Sequence, residues 1–70
     1  MMTFEEYKDI AFKRLREYLA SFPEDEVEEY IKSLEDDVKK SYEDSIELTE
    51  FFGTNQINPS SYAYGMMMCF

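Results

Sequence analysis

The stretch PEDEVEEYIKSLEDDVKKSYEDSIELTEFFG, residues 23–53, decides the fold. Between Pro23 and Gly53 it contains no glycine and no further proline. Val27, Ile31, Leu34, Val38, Tyr42, Ser45, Thr49 and Phe52 recur at spacings of three and four, the period of one helical face. Tyr30 and Leu48 lie beside that stripe. Pro23 suits the first position of a helix, and Glu24, Asp25 and Glu26 place negative charge at the positive end of its dipole. Gly53 is the expected C-cap. Taken literally, the stretch is one helix of about 30 residues and roughly 45 Å, long for so small a chain. Its weak point is the middle, where Asp36-Asp37, Lys39-Lys40, Ser41 and Ser45 dilute the stripe. Ser41-Tyr42-Glu43-Asp44 offers a second capped start, so a break between residues 36 and 44 stays open.

Upstream, Thr3-Phe4-Glu5-Glu6 is a capping box, and Met2 and Tyr7 occupy hydrophobic-staple positions. Phe4, Tyr7, Ala11, Leu15, Tyr18 and Phe22 then follow helical spacing, flanked by Ile10, Phe12 and Leu19. This predicts a helix over about 4–20, turned by Phe22-Pro23. Downstream, residues 53–58 read as a loop. Asn58-Pro59 reads as an N-cap followed by a first helical residue, opening a short helix over about 59–69. Gly65 inside it costs about 1 kcal/mol, so that helix depends on packing.

No alternating run long enough for a paired strand is present. The expectation is one all-α domain over residues 1–70, a small antiparallel three-helix bundle, or four helices if the middle one breaks. The lengths of the first and last helices nearly sum to that of the middle helix. Both could pack antiparallel to it, end to end, whereas in a compact bundle the middle helix would bend instead.

The formal net charge is −9. Residues 1–22 balance four acids against four bases, residues 23–53 set twelve acids against Lys32, Lys39 and Lys40, and residues 54–70 carry no charged side chain. Direct binding to nucleic acid or an anionic membrane is not expected, because both depend on Lys and Arg. Residues 1–22 lack the apolar core of a signal peptide, and no apolar run approaches the ~20 residues that span a bilayer. Cys69 is the only cysteine, which suits a reducing compartment, so the expected location is cytoplasmic.

Catalytic equipment is sparse. There is no histidine, no cysteine pair and no glycine-rich phosphate loop. Glu26–Glu29 and Glu47–Glu50 form E-x-x-E pairs of the kind that hold magnesium on some all-α hydrolases. At 100° per residue they point away from the apolar stripe, which reads as a solvated acidic face. The six serines have no histidine base, and Cys69 is expected to be a small buried hydrophobe. Lys13, Arg14 and Arg16 read as surface charges paired with Asp9 and Glu17. No cofactor or metal is expected.

The C-terminus is unusual. Tyr62, Ala63, Tyr64, Met66, Met67, Met68, Cys69 and Phe70 make it the most apolar part of an acidic chain. Such an end must bury itself in its own domain or in a partner. Aromatic residues and methionine are enriched at protein interfaces. The sequence therefore points to a non-enzymatic protein-protein interaction module, with Tyr62, Tyr64, Met66, Met67 and Phe70 as contact or homodimer residues and the partner unspecified. An alternative is an acidic nucleic-acid mimic that blocks a DNA-binding protein, motivated by Glu24–Glu29 and Glu35–Asp37. A metal-dependent hydrolase built on the E-x-x-E pairs is the third.

Overall fold

The computed structural model describes all residues, Met1–Phe70, and is all-α. It has four helices: α1 (Phe4–Tyr18), α2 (Glu24–Ser33), α3 (Glu35–Phe52) and α4 (Pro59–Met68). The end signals act as their chemistry dictates. Thr3 accepts from the Glu6 amide while the Glu6 carboxylate accepts from the Thr3 amide. Gly53 adopts a left-handed φ of 70°, and its N–H closes α3 on the Thr49 carbonyl. The Asn58 side chain accepts from the Ser61 amide with Pro59 following as the first helical residue. Pro23 sits one place before its expected position, as the N-cap of α2.

The long stretch does break, but at Leu34, two residues before the expected window. Leu34 turns to φ −95°, ψ 3°, and its N–H reaches back three residues to Ile31 rather than four to Tyr30. The Ser33 hydroxyl donates to the Tyr30 carbonyl that this shift releases. Glu35, Asp36 and Asp37 then become the first turn of α3, where carboxylates complement the helix dipole. The acids that dilute the stripe are thus a helix start.

The molecule measures 40 × 18 × 17 Å. The long dimension is close to the roughly 43 Å that residues 24–52 would span as one helix, so α2 and α3 run on along the long axis. Against this rod α1 is antiparallel. Arg16 meets Glu28 at one end, and Phe4 and Tyr7 meet Tyr42 at the other. α4 is antiparallel to the rod as well, through Tyr62 with Asp37, Tyr30 with the Met66 carbonyl, and Tyr30 with Phe70.

Of the two arrangements, the end-to-end placement is not what forms. α1 and α4 lie side by side, running in the same sense, and theirs is the most extensive helix–helix contact. Side-by-side docking buries Ala63 completely and packs Tyr62, Met66 and Met67 on the core, which an end-to-end helix on a single rod would leave half wet. The small Ala11 and Ala63, both sealed, suit a close approach of the two helices.

The core comprises Tyr7, Ala11, Phe12, Leu15, Leu19, Val27, Ile31, Leu34, Val38, Ile57 and Ala63. On α1 the buried arc is rotated from the expected stripe. Phe12 and Leu19 go inside, while Tyr18 and Phe22 stay largely exposed. α1 is covered on two sides, by the rod and by α4, so the arc between those neighbours is the one sealed. Leu19 caps α1, and turns through residues 19–21 lead to Phe22. After α3 the chain folds back on itself. The Gln56 amide donates to the Thr49 hydroxyl and the Ile57 amide to the Asn55 side chain, which seats Ile57 in the core.

A Cβ added at Gly65, inside α4, meets no heavy atom within 4 Å. Gly65→Ala is therefore expected to stabilise the protein by about 0.5–1 kcal/mol, through helix propensity alone. Gly53→Ala, equally free of clash but forced to positive φ, is expected to destabilise by about 1 kcal/mol. Thermal melts of the two variants should move in opposite directions, and a shared direction would rule out this backbone assignment.

Candidate functional site

The tyrosines divide into two groups. Tyr7, Tyr30, Tyr42 and Tyr62 turn their rings inward, and each hydroxyl finds a protein partner. Tyr7 pairs with the Ser41 hydroxyl, 3.0 Å away. Tyr30 donates to the Met66 carbonyl at 2.8 Å, Tyr42 to the Met2 carbonyl at 2.6 Å, and Tyr62 to the Asp37 carboxylate at 2.7 Å. The rings of Tyr7, Tyr42, Phe4 and Tyr62 tilt against one another with centroids 5.3–6.2 Å apart. No buried side-chain nitrogen or oxygen lacks a partner.

Burial followed by the hydrogen bond to Asp37 pushes the Tyr62 phenol far above its ordinary range, and burial raises Tyr30 as well. A raised folded-state value means stability that is complete below about pH 10, the unfolded phenol's value, and lost as pH climbs above it. Alkaline unfolding is expected to begin above about pH 10, and Tyr62→Phe should flatten the slope. Equal pH slopes for the two proteins, read from melts across that range, would contradict the assignment. On the acid side, hydrogen bonding to Arg16 lowers Glu28 and hydrogen bonding to Thr3 lowers Glu6. Both groups lie in solvent.

Among the sequence candidates, Tyr62, Met66 and Met67 are partly buried and hold α4 on the bundle. Tyr64 and Phe70 reach the surface, and there the structure adds residues that periodicity had assigned to the apolar face of α1. Tyr18 meets Tyr64 edge-on at 6.2 Å, and Phe22 meets Phe70 edge-on at 4.9 Å. Met68, one turn beyond Tyr64, is 69% exposed. Tyr18, Phe22, Tyr64, Met68 and Phe70 thus form an aromatic and thioether surface at the end where α1 and α4 terminate. Cys69 is exposed rather than buried, because it caps α4 beyond the last packed turn.

A second apolar surface lies at the opposite end of the long axis. Leu48, Phe51 and Phe52 are 47%, 81% and 58% exposed, although the helical stripe of residues 27–52 placed Phe52 on the core face. The reason is orientation. Tyr42 and Ile46 turn the packed face of α3 to the core, Leu48 and Phe51 lie on its other side, and Phe52 lies at the edge.

Two ion pairs are present, Arg16–Glu28 and Arg14–Glu17. The first is bidentate, at 2.7 and 2.9 Å, and ties α1 to α2. Glu26 and Glu29 lie on α2, Glu47 and Glu50 on α3, and no group of three or more acid or cysteine side chains converges on a point that a metal ion would fill. No helix is long and apolar enough to cross a membrane. No family model, curated protein or solved structure matches this chain.

Proposed function

We infer that this chain is a non-enzymatic protein that works by binding another protein, with the cytoplasm as its setting. The observation that carries the reading is the exposed group Tyr18, Phe22, Tyr64, Met68 and Phe70 at one end of the molecule. Exposed apolar residues are ordinary when scattered, but a contiguous set rimmed by polar residues marks contact sites. Edge-on ring pairs and a mobile thioether supply area at low ordering cost and adapt to a partner's shape.

The nucleic-acid-mimic reading rests on Glu24–Glu29 and Glu35–Asp37. Six of those acids stand in the first turns of α2 and α3, and Glu28 grips Arg16. Seven of the eight have work inside the fold and need no basic partner to explain them.

Affinity capture from a lysate of the source organism tests the reading, with the full chain run beside Tyr64→Asp/Met68→Asp. Both positions are exposed, so the double variant should keep its thermal melt. A protein held by the parent and lost by the variant is the expected result. An identical set of proteins held by both would contradict it.

A further inference from the structure

We propose that the outer face at the end of α3 is a docking ledge for a basic amphipathic helix of a partner protein. This rests on the reading of the chain as a protein-binding module and assigns a partner chemistry to its second surface. Of the twelve acids between Glu24 and Glu50, seven are accounted for by the two helix starts and the Arg16 pair. Four of the remaining five, Glu43, Asp44, Glu47 and Glu50, lie on α3 from its midpoint onward, and its last turn holds no base. Negative charge at a helix C-terminus opposes the helix dipole, and Glu43 and Glu47 repel across one turn. Glu47 and Glu50 act against the stability of the helix that carries them, whereas Glu43 and Asp44 each stand one turn after a lysine, Lys39 and Lys40.

They also flank the most exposed ring in the molecule. At 100° per residue, Phe51, Leu48 and Phe52 make one stripe, Asp44 sits within it, and Glu47, Glu43 and Glu50 line a single edge. Asp44, Glu47, Leu48 and Phe51 wall a shallow depression of about 420 Å³. An apolar stripe with acids along one side matches a helix that presents leucine-like anchors with Lys or Arg on one flank. A second copy of this chain is a poor occupant, because each molecule carries −9 and a two-fold contact would set acids against acids. Nucleic acid and anionic lipid are repelled by the same edge.

The probe is a fluorescein-labelled peptide of leucine and lysine in amphipathic helical spacing. Its control has the same composition with the leucines scattered around the helix. Anisotropy titrations of the full chain are expected to show the amphipathic peptide binding about tenfold tighter or more. Binding should weaken as salt rises from ~50 to ~500 mM, and Leu48→Ser/Phe51→Ser should lower affinity about tenfold. NMR shifts should be confined to residues 43–53. Equal binding of the two peptides, unchanged affinity of the variant, or shifts that also follow the first-turn acids of α2 and α3 would overturn the proposal. So would a dimer in sedimentation that the double variant dissolves, since a second copy would then occupy the ledge. If the peptide fails while lysate capture through Tyr64 and Met68 persists, this inference falls and the binding-module reading stands.

Discussion

A chain ending at Asn58 is expected not to fold. α4 supplies Pro59 and Ala63 to the buried interior and packs Tyr62, Met66 and Met67 against it. Its removal also uncovers α1, whose Tyr7, Ala11 and Leu15 are at most 1% exposed. A fully buried side chain of this size contributes about 1.5–3 kcal/mol. The losses from α4 and from the face it covers therefore come to 5 kcal/mol or more by that rough measure. A domain of this length holds roughly 4–10 kcal/mol in all. Far-UV circular dichroism should show little helix and no cooperative melt. A cooperative transition within about 10 °C of the parent would mean that α4 is an ornament on a self-sufficient core.

Leu15→Ala is expected to be the most damaging single substitution on α1. Leu15 is fully sealed, at 0% exposure, on the helix that contacts all three others. Leucine-to-alanine changes at such sites cost about 2–5 kcal/mol, because the cavity closes only in part. For a chain of this size that lowers the melting temperature by about 10 °C or more. Phe51→Ala supplies the contrast. The ring is larger but stands 81% in solvent, so the stability change should stay within about 0.5 kcal/mol. A large loss from Phe51→Ala would place that ring in the core and remove the ledge from consideration.

The contrast also shows what was legible in the residues. Helix ends were, because each is set by chemistry local to a few positions. The Thr3–Glu6 box, Gly53 and Asn58-Pro59 act where they stand. The break at Leu34 was not, since leucine is a good helix former and carries no stop signal. It depends on Ser33 taking up a carbonyl, and serine is common in unbroken helices. The side-by-side pairing of α1 and α4 was hidden as well. Its residues, such as the sealed Ala11 and Ala63, are far apart in sequence, and their burial appears only when the helices meet.

The candidate surface was half legible. Tyr64 and Phe70 belong to it, whereas Tyr62, Met66 and Met67 hold α4 on the bundle. Composition marks a segment as apolar without saying which side of its helix is spent on the core. Tyr18 and Phe22 were hidden by the opposite error. Their spacing puts them on the apolar face of α1, but the arc sealed between two neighbours leaves them at its edge. Phe52 ends the predicted stripe but stays 58% exposed, and Phe51 lies on the opposite side of α3 from Tyr42. The one available signal was the charge pattern, acids without bases at a helix C-terminus, where stability favours the reverse.

The apolar segment from Tyr62 closes this protein's own core and leaves the rings of Tyr64 and Phe70 outside. Amide hydrogen exchange of the isolated full chain, followed by NMR, tests it most directly. The amides of Tyr62 through Met67 are predicted to be protected to the same degree as those of Ala11 through Leu15, as one cooperative unit. Exchange at unfolded rates in α4 beside a protected α1 would contradict the claim and leave the C-terminal segment free for a partner.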